Sequence, residues 1–458
     1  MEKRALKLLI IILILLFVLS SFFLVKHLSI TGFFSYSDKS QKTSSEVLNE
    51  LQKKETIRVV VEIDDSSKGI RLFGKKGFNK KQLPGKIRHD FGDKISLEIT
   101  QEELENLEKN SNIKRIGLVG KKQLFLQDSV PLVNGTSSWD LTINNTNLTG
   151  KGQTVCVIDT GANFSHPDLY GKNQTCVINC VNSSGEGCVE NCSIADSDGH
   201  GTHVSGIIAA NGSIKGVAPD SKLIMIKVFE ESNSAYDDDI AAGIDWCVNN
   251  ASKFNISVIS MSLGGGNFSS YCDEYQDGDG IPSSVNNSID LVTPINNAIS
   301  KNISVVAATG NSGNHTHIAS PACIQNATAV GMTYDKDVGG REWDDNNGDY
   351  LCNDSSTSAD KIVCASNRNN ITDLFAPGAI IYSTWKTGYK EDGGTSMAAP
   401  HVAGAFALIN QFKKLETNKT LKPENIQNTL ILTGKRIYDN DSGLNFSRIN
   451  IYSAILSL

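Results

Sequence analysis

The larger, C-terminal part of the chain has little positive charge. Residues 128–458 carry 20 Lys and Arg against 35 Asp and Glu, whereas residues 1–127 carry 23 against 15. The formal charges are therefore −15 and +8, which sum to the −7 of the 458-residue chain. Because phosphate binding needs clustered positive charge, this balance argues against a nucleic-acid partner and favours cation binding. The change of sign predicts a domain boundary near residue 127.

No charged residue occurs in residues 8–25, and basic residues precede this apolar run. Such a segment predicts export. The run is long for a cleaved signal peptide, is just long enough to span a bilayer, and has no obvious small-x-small cleavage site after it. Two interpretations of residues 1–30 stay open, a signal peptide that is removed and a membrane anchor that is retained. Both predict an extracellular or cell-surface location, where the Asn-x-Ser/Thr sequons from Asn134 onward permit glycosylation.

Cysteine is absent from the first 155 residues, and the chain has no internal repeat or low-complexity tract. The ten cysteines are Cys156, Cys176, Cys180, Cys188, Cys192, Cys247, Cys272, Cys323, Cys352 and Cys364. In an exported chain they predict disulfides in the second part. The four between positions 176 and 192 favour two local bridges; a zinc site is the alternative, although their x3 spacings are looser than the usual zinc knuckle. Cys156 lies in an apolar run and is interpreted as a buried thiol.

Residues 57–127 are predicted to form a small α+β domain, and a linker at residues 31–56 precedes it. The β-branched content and the alternation of apolar residues predict strands at 57–63, 94–100, 113–119 and 123–126. Thr100 and Glu103 form a capping-box pattern, which predicts the start of a helix.

Residues 128–458 have a different pattern, in which apolar runs alternate with helix-like segments. The predicted strands are 154–159, 223–228, 257–262 and 304–308, and the predicted helices are 203–210, 238–249, 293–300 and 397–412. Runs that are apolar on both faces and separated by helices predict a mainly parallel sheet with helices on both sides. Ligands of such folds bind at the carboxyl ends of the strands.

Three glycine-bearing segments each present one reactive side chain: Asp159 in 157–161, His200 in 198–206 and Ser396 in 394–401. Asp159 ends a buried strand, where a carboxylate needs a hydrogen-bonding or cationic partner such as an imidazole. His200 and Ser396 each lie at the start of a predicted helix. The imidazole can therefore accept the hydroxyl proton, and backbone N–H groups beside Ser396 can bind an oxyanion. Pro400 is expected in the first turn of its helix, where it is tolerated.

Asn311 follows the predicted strand at 304–308 and offers an amide that can donate to the same oxyanion. The four segments resemble the Asp, His and Ser motifs and the oxyanion Asn of the subtilisin-like serine proteases, in that family's Asp, His, Ser order. The resemblance covers about residues 130–458. It implies a three-layer α/β fold and a serine endopeptidase without an organic cofactor. The implied roles are orienting carboxylate for Asp159, general base for His200, nucleophile for Ser396 and oxyanion donor for Asn311.

The same resemblance implies the residues that contact a protein or peptide substrate. One wall of the specificity pocket, expected to pair with the substrate backbone as a strand, is Ser262, Leu263, Gly264 and Gly265. The other wall is Ala307, Ala308, Thr309 and Gly310. Neither wall carries a charge, which predicts a preference for an apolar or medium-sized side chain.

Residues 57–127 resemble the inhibitory propeptide of the family, a βαββαβ unit whose tail lies in the active-site cleft until it is cut. The resemblance implies an autoprocessed zymogen, with residues 128–458 as the catalytic domain and a cut within residues 124–130. The opposite charges of the two parts suit a propeptide that binds and inhibits its partner.

An insertion at residues 267–291 departs from the family pattern. Its residues Asp273, Asp277 and Asp279 are predicted to bind a structural calcium ion, because a hard cation prefers several oxygen ligands. A plain acidic loop is the alternative, since the Glu expected at position twelve of an EF-hand is missing. Residues 344–349 are a weaker candidate of the same kind.

An esterase or lipase and a non-catalytic binding protein are the two alternatives to a peptidase. An esterase or lipase also uses Ser, His and Asp, but residues 394–398 lack the second glycine of the nucleophile elbow, and the Asp precedes the Ser in the chain. A non-catalytic binding protein with a relict site is expected to have lost a triad residue, and none is missing here.

Overall fold

The computed structural model describes residues 42–52, 54–63, 80–119, 121–124, 129–181, 187–232, 234–274, 290–345 and 348–458. Residues 43–458 form one compact unit. The signal or anchor predicted at residues 8–25 lies outside the described residues. Within them, no helix combines the length and the apolar content that a membrane span requires.

The helices of the described part are α1 (Ser45–Leu51), α2 (Gln101–Lys109), α3 (Gly135–Trp139), α4 (His200–Ala209), α5 (Asp237–Phe254), α6 (Val292–Ser300), α7 (Thr395–Thr417), α8 (Pro423–Thr433) and α9 (Ile451–Leu456). The strands are β1 (Ile57–Ile63), β2 (Lys86–Asp90), β3 (Lys94–Ile99), β4 (Ile113–Leu118), β5 (Lys121–Leu124), β6 (Thr142–Ile143), β7 (Thr146–Asn147), β8 (Thr154–Asp159), β9 (Val177–Asn179), β10 (Val189–Asn191), β11 (Lys222–Lys227), β12 (Ala235–Tyr236), β13 (Ile256–Met261), β14 (Leu263–Phe268), β15 (Ser304–Ala308), β16 (Ile318–Ser320), β17 (Thr328–Tyr334), β18 (Arg341–Asp344), β19 (Tyr350–Asp354), β20 (Leu374–Ala379), β21 (Ile381–Thr384), β22 (Tyr389–Asp392), β23 (Lys435–Tyr438) and β24 (Asn445–Arg448).

The N-terminal strands form a separate four-stranded sheet in the order β2-β3-β1-β4, in which β1 pairs antiparallel with both β3 and β4. The predicted capping box is confirmed, since Thr100 Oγ1 accepts from the backbone N–H of Glu103 while the Glu103 carboxylate accepts from the N–H of Thr100. The strands predicted at 57–63, 94–100 and 113–119 are confirmed to within one residue. Strand β2 was not predicted, and β5 starts two residues before the predicted 123.

The central sheet has ten strands in the order β10-β9-β11-β8-β13-β15-β17-β20-β24-β23. It is mainly parallel, with one antiparallel pair at each edge, β9–β10 and β23–β24. Side chains alternate between its faces. Val155 and Val157 of β8 belong to a core shared with α4 and α7, whereas Cys156 and Ile158 belong to a second core shared with α5 and α6. The predicted three-layer α/β fold is therefore confirmed.

Most predicted elements of the second part are confirmed with shifted ends. Strands 154–159 and 304–308 have the predicted bounds, and the strands predicted at 223 and 257 start one residue earlier. The helices predicted at 203, 238, 293 and 397 start one to three residues earlier. The first turn of each helix therefore includes residues that precede its apolar pattern.

All ten cysteines form disulfides. The predicted local bridges are confirmed as Cys176–Cys192 and Cys180–Cys188, which leaves no thiolates there for the alternative zinc site. The other pairs are Cys156–Cys247, Cys272–Cys323 and Cys352–Cys364. The interpretation of Cys156 as a buried thiol was wrong, because the alternation of β8 directs its side chain towards α5, which carries Cys247.

Candidate active site

Asp159 is the last residue of β8, and its carboxyl group is completely buried. Its Oδ1 accepts hydrogen bonds from His200 Nδ1 at 2.7 Å and from the backbone N–H of Thr160 at 2.8 Å. Burial raises the pKa of the Asp159 carboxyl, and the contacts with His200 and Thr160 act in the opposite direction. The pair fixes the orientation of the imidazole, with Nδ1–H as the donor to the carboxylate.

His200 is the first residue of α4, and a second buried carboxylate holds the start of this helix. Asp196 Oδ1 accepts from the N–H of Gly199 at 2.8 Å and from the hydroxyl of Thr160 at 3.0 Å. Asp196 Oδ2 accepts from the N–H and the hydroxyl of Thr202 at 2.9 and 2.6 Å. Asp196 thus ties the helix start to the residue that follows Asp159. Sequence reasoning missed it.

Gly201 allows the helix start to lie against the strand end. A Cβ atom at this position would be 2.1 Å from the carbonyl oxygen of Gly161 and 3.0 Å from Asp159 Oδ1. Real Cβ atoms essentially never make a contact as short as the first distance, and the second is tighter than nine in ten of their contacts. A glycine after His200 is therefore required for the imidazole to reach Asp159.

Ser396 is the second residue of α7 and is bonded to the end of the strand beside β8. Its Oγ donates to the carbonyl of Ser262 at 3.2 Å, and Ser262 directly follows β13. Met261 of β13 is in register with Ile158 of β8, so residues 262 and 159 leave neighbouring strands at the same edge. Neighbouring strands are about 4.8 Å apart, which brings the hydroxyl to the strand end that holds His200.

Pro400 lies in the second turn of α7, not in the first turn as predicted, because the helix starts at Thr395. Without an N–H it cannot donate to the carbonyl four residues earlier, which belongs to Ser396. The hydroxyl of Ser262 donates to that carbonyl instead, at 2.6 Å. A side chain from a neighbouring strand end thus replaces the missing helical hydrogen bond at Ser396.

Asn311 lies three residues beyond the end of β15, the next strand of the sheet. Its Oδ1 accepts from the N–H of Thr395 at 2.8 Å and from the hydroxyl of Thr395 at 3.0 Å. Because the amide oxygen is used in this way, the NH₂ group is left to donate elsewhere. Asn367, which sequence reasoning missed, holds the same loop by accepting from the N–H groups of Ser312 and Asn314.

The residues predicted to contact substrate lie along the same edge. Leu263, Gly264 and Gly265 belong to β14, which pairs antiparallel with β5 through Leu263–Leu124 and Gly264–Gln123. Strand β12 pairs with the other edge of β5. An extended segment of the chain therefore already lies between β12 and β14.

On the other predicted wall, Ala307 and Ala308 end β15 and are buried. The hydroxyl of Thr309 donates to the carbonyl of Asn367 at 2.7 Å, and the N–H of Gly310 donates to the hydroxyl of Thr395 at 3.0 Å. The polar groups of this wall are thus used within the protein, and they support Asn311 and the start of α7.

The site combines a buried carboxylate–imidazole pair, a hydroxyl at the adjacent strand end and an amide whose oxygen accepts from Thr395. This is the constellation expected for acyl transfer. Residues 150–448 match the family model described as the Subtilase family. The chain belongs to the subtilase family.

Relatives of this subtilase include a subtilisin from Bacillus sp. (strain TA39), 32% identical over 354 residues, which are 72% of this chain and 76% of the relative. The major intracellular serine protease of Bacillus subtilis (strain 168) is 32% identical over 335 residues, 70% of this chain and 88% of the relative. The alkaline serine exoprotease A of Vibrio alginolyticus is 32% identical over 307 residues, 67% of this chain and 45% of the relative. With its family and these relatives, the subtilase is a serine endopeptidase.

Two other histidines lie close to the site of the subtilase and are buried. Burial lowers the pKa of His203 well below its usual value and that of His401 to about 4. His203 Nε2 bonds to the carbonyl of Lys390 at 3.1 Å, and His401 Nδ1 bonds to that of Met397 at 2.6 Å. Both rings are therefore neutral and packed in the interior.

The structure describes one of the three predicted calcium ligands of the subtilase. Asp273 is described, and its carboxylate accepts from the backbone N–H of Gln325 at 3.1 Å. Asp277 and Asp279 lie outside the described residues, so this site stays a prediction. The weaker candidate at 344–349 lies in the β18–β19 turn, where Asp345 Oδ1 accepts from the N–H of Asp349 at 2.9 Å.

Proposed function

We propose that this subtilase cleaves peptide bonds through an acyl-enzyme on Ser396. His200 takes the proton of the Ser396 hydroxyl as that oxygen attacks the scissile carbonyl, and later gives it to the leaving amine. Asp159 accepts the Nδ1–H bond, which keeps Nε2 as the basic nitrogen and stabilises the imidazolium. The hydrogen bond from His200 to Asp159 is the observation that carries this proposal.

The developing oxyanion needs donors that are already in place. The NH₂ group of Asn311 and the backbone N–H of Ser396 are proposed for this role. The fixed amide oxygen of Asn311 supports the assignment, because both donors to that oxygen come from Thr395, the residue before the nucleophile. Loss of one such donor typically lowers turnover by about 10²–10³.

The chain is further proposed to be a zymogen in which residues 57–127 inhibit the catalytic part and are cut from it. Strand β5 supports this, since it lies antiparallel to β14 in the place where the backbone of a substrate is expected. It ends at Leu124, where the stretch 124–130 predicted to contain the cut begins. A segment that forms these backbone hydrogen bonds excludes other substrates until it is released.

Export of the protein and a structural calcium ion are also proposed. Five disulfides that use all ten cysteines support an oxidising compartment. The relatives' names include an exoprotease and an intracellular protease, so this argument rests on the chain's own features. Calcium binding rests on the acidic residues at 273–279.

The test is a Ser396→Ala chain compared with a Ser304→Ala chain. Ser304 is a matched control because it is also buried and its hydroxyl has no partner among the described residues. We expect the Ser396→Ala chain to stay at full length, to resist labelling by a fluorophosphonate and to leave casein intact. The control should be processed, labelled and active. Processing of the Ser396→Ala chain in isolation would refute the proposal, whereas ester hydrolysis without casein cleavage would favour an esterase.

A further inference from the structure

Arg58 of β1 is buried and faces four side chains that lie far from it in sequence. One of its terminal nitrogens donates to Asp238 Oδ1 at 3.2 Å and also to Asp239, and the other donates to Glu230 Oε1 at 2.9 Å. The guanidinium carbon lies 3.9 Å from the centre of the Tyr236 ring. A single side chain thus meets three carboxylates and an aromatic face, which is the arrangement that a planar guanidinium fits and an ammonium does not.

The carboxylates belong to the catalytic part of the chain. Asp238 and Asp239 lie in the first turn of α5, where the helix dipole favours negative charge. Both are completely buried, and Asp238 Oδ2 has no hydrogen-bond partner among the described residues. Burial and the neighbouring Asp238 raise the pKa of Asp239, whereas contacts from His89 and Arg58 oppose this effect. The helix start is therefore built to receive a cation.

This acidic site borders the cleft because Tyr236 belongs to both. As a residue of β12, Tyr236 pairs in register with Lys121 of β5, three residues before Leu124. Leu124 in turn pairs with Leu263 of β14, next to Ser262, whose carbonyl contacts the Ser396 hydroxyl. A strand rises about 3.3 Å per residue, so the site lies a few residues upstream of the place where the scissile bond is expected.

We propose that Glu230, Tyr236, Asp238 and Asp239 form an arginine-binding site of the mature enzyme, which Arg58 fills in the precursor and an upstream arginine of the substrate fills afterwards. This rests on the proposed function, because release of the residues before the cut removes Arg58 and uncovers the site. Once the site is uncovered, its clustered carboxylates favour a cation that can bond to them, so a substrate that supplies a guanidinium gains relative to one that does not. The uncharged walls of the specificity pocket then select the residue at the cut, and this site selects a second residue upstream.

The experiment uses the processed enzyme and quenched-fluorescent peptides that follow residues 117–131 of this chain. Lys121 and Lys122 are replaced by Gln in the parent peptide, and one Arg is then placed at each of positions 119–122 in turn. Matched peptides carry citrulline, which has the same shape without the charge. We expect kcat/KM for one or two of the Arg peptides to exceed that of the citrulline peptides about tenfold or more, as hydrogen bonds to charged groups allow.

Three variants assign the effect to the site. Asp239→Asn and the milder Glu230→Gln should reduce the ratio of kcat/KM for the Arg peptides to that for the citrulline peptides at least about threefold. Asp245→Asn, which changes a carboxyl of the same helix away from Arg58, should leave the ratio unchanged. Equal cleavage of Arg and citrulline peptides at all four positions, or an unchanged ratio in Asp239→Asn, would overturn the arginine site. Failure to cleave any peptide would contradict the proposed function instead.

Discussion

Ser262 and Ser396 exchange two hydrogen bonds, each hydroxyl donating to the backbone carbonyl of the other residue, at 3.2 Å from Ser396 and 2.6 Å from Ser262. The bond from Ser262 has a particular cause. Pro400 has no N–H, so the Ser396 carbonyl lacks its helical donor four residues on. Ser262, between β13 and β14, thereby satisfies the backbone carbonyl of Ser396, and a displacement of this strand end is expected to move Ser396.

This relationship predicts coupling between positions 262 and 400. Ser262→Ala leaves a buried carbonyl without a donor and should lower the free energy of unfolding by about 1–3 kcal/mol. In a Pro400→Ala background the new N–H can serve that carbonyl, so the same change should cost less, with an interaction energy of at least about 0.5 kcal/mol. Denaturant unfolding of the four combinations measures this, made in the Ser396→Ala chain to prevent autolysis.

The entropy that Pro400→Ala adds to the unfolded chain is the same in both backgrounds and cancels in the cycle. Ser304→Ala, which removes a buried hydroxyl without a partner among the described residues, serves as the control and should change stability little in either background. Strict additivity of the changes at 262 and 400 would show that the Ser262 hydroxyl does not replace the missing helical donor.

A second prediction concerns the hydroxyl of Thr395, which donates to Asn311 Oδ1 and accepts from the N–H of Gly310. Thr395→Val keeps the shape and removes both bonds, so the Asn311 amide loses part of its orientation. We expect kcat to fall about tenfold or more with KM nearly unchanged, because the oxyanion is bound only in the transition state. Thr333→Val, another buried Thr whose hydroxyl lacks a partner in the described part of the chain, should leave kcat unaltered.

Much of the fold could be predicted because β8, β13 and β15 are apolar on both faces, a pattern that buried parallel strands require. Strand β2 was missed because its sequence is Lys-Ile-Arg-His-Asp, which has the polarity of a loop. Its residues Arg88 and His89 are nevertheless buried, next to Glu230 and Asp239. The strand itself pairs with the nearby β3, but the acidic partners that allow these two side chains to be buried lie more than a hundred residues away, where no local pattern contains them.

The candidate site was predictable in its reactive groups and not in their supports. Asp159, His200 and Ser396 lie in long glycine-bearing motifs that can be recognised from the sequence. Asp196 belongs to a short polar stretch whose composition predicts a surface loop. The residue is nevertheless buried, because its carboxylate accepts hydrogen bonds from the start of α4. The pairing of Cys156 likewise depends on a contact with a residue 91 positions away.

A third prediction tests the role of Asp196. Asp196→Asn replaces one acceptor oxygen by an NH₂ group, which would face either the Gly199 N–H or the Thr202 N–H. The start of α4 should shift, and His200 with it. We expect kcat to fall between about 10- and 100-fold, as small displacements of catalytic groups do, with a smaller change in KM. The measurement is steady-state kinetics together with the rate of fluorophosphonate labelling.

Asp140→Asn is the matched control, because it makes the same Asp-to-Asn change at an exposed residue. It should leave kcat and the rate of fluorophosphonate labelling unchanged. If Asp196→Asn destabilises the chain and yet retains wild-type kcat at a temperature where it is folded, Asp196 supports the fold alone and does not position His200.

The last prediction concerns Asp373, which lies outside the catalytic site. Its carboxylate accepts from the N–H of Ala329 and from Gln427 Nε2, each at 2.8 Å, and burial raises its pKa to about 7. A folded-state pKa above the unfolded value means that the native state binds the proton more tightly. The resulting stabilisation is complete below pH 4, declines as the pH rises towards 7, and amounts to about 4 kcal/mol over that interval.

Asp373→Asn has no proton to lose, so its free energy of unfolding should be no higher than that of the parent at pH 4.5 and should exceed it at pH 8. Denaturant unfolding of both chains in the Ser396→Ala background at pH 4.5, 6 and 8 measures the difference, with Asp140→Asn as the control, and a difference that stays constant over this range would rule out a raised pKa at Asp373.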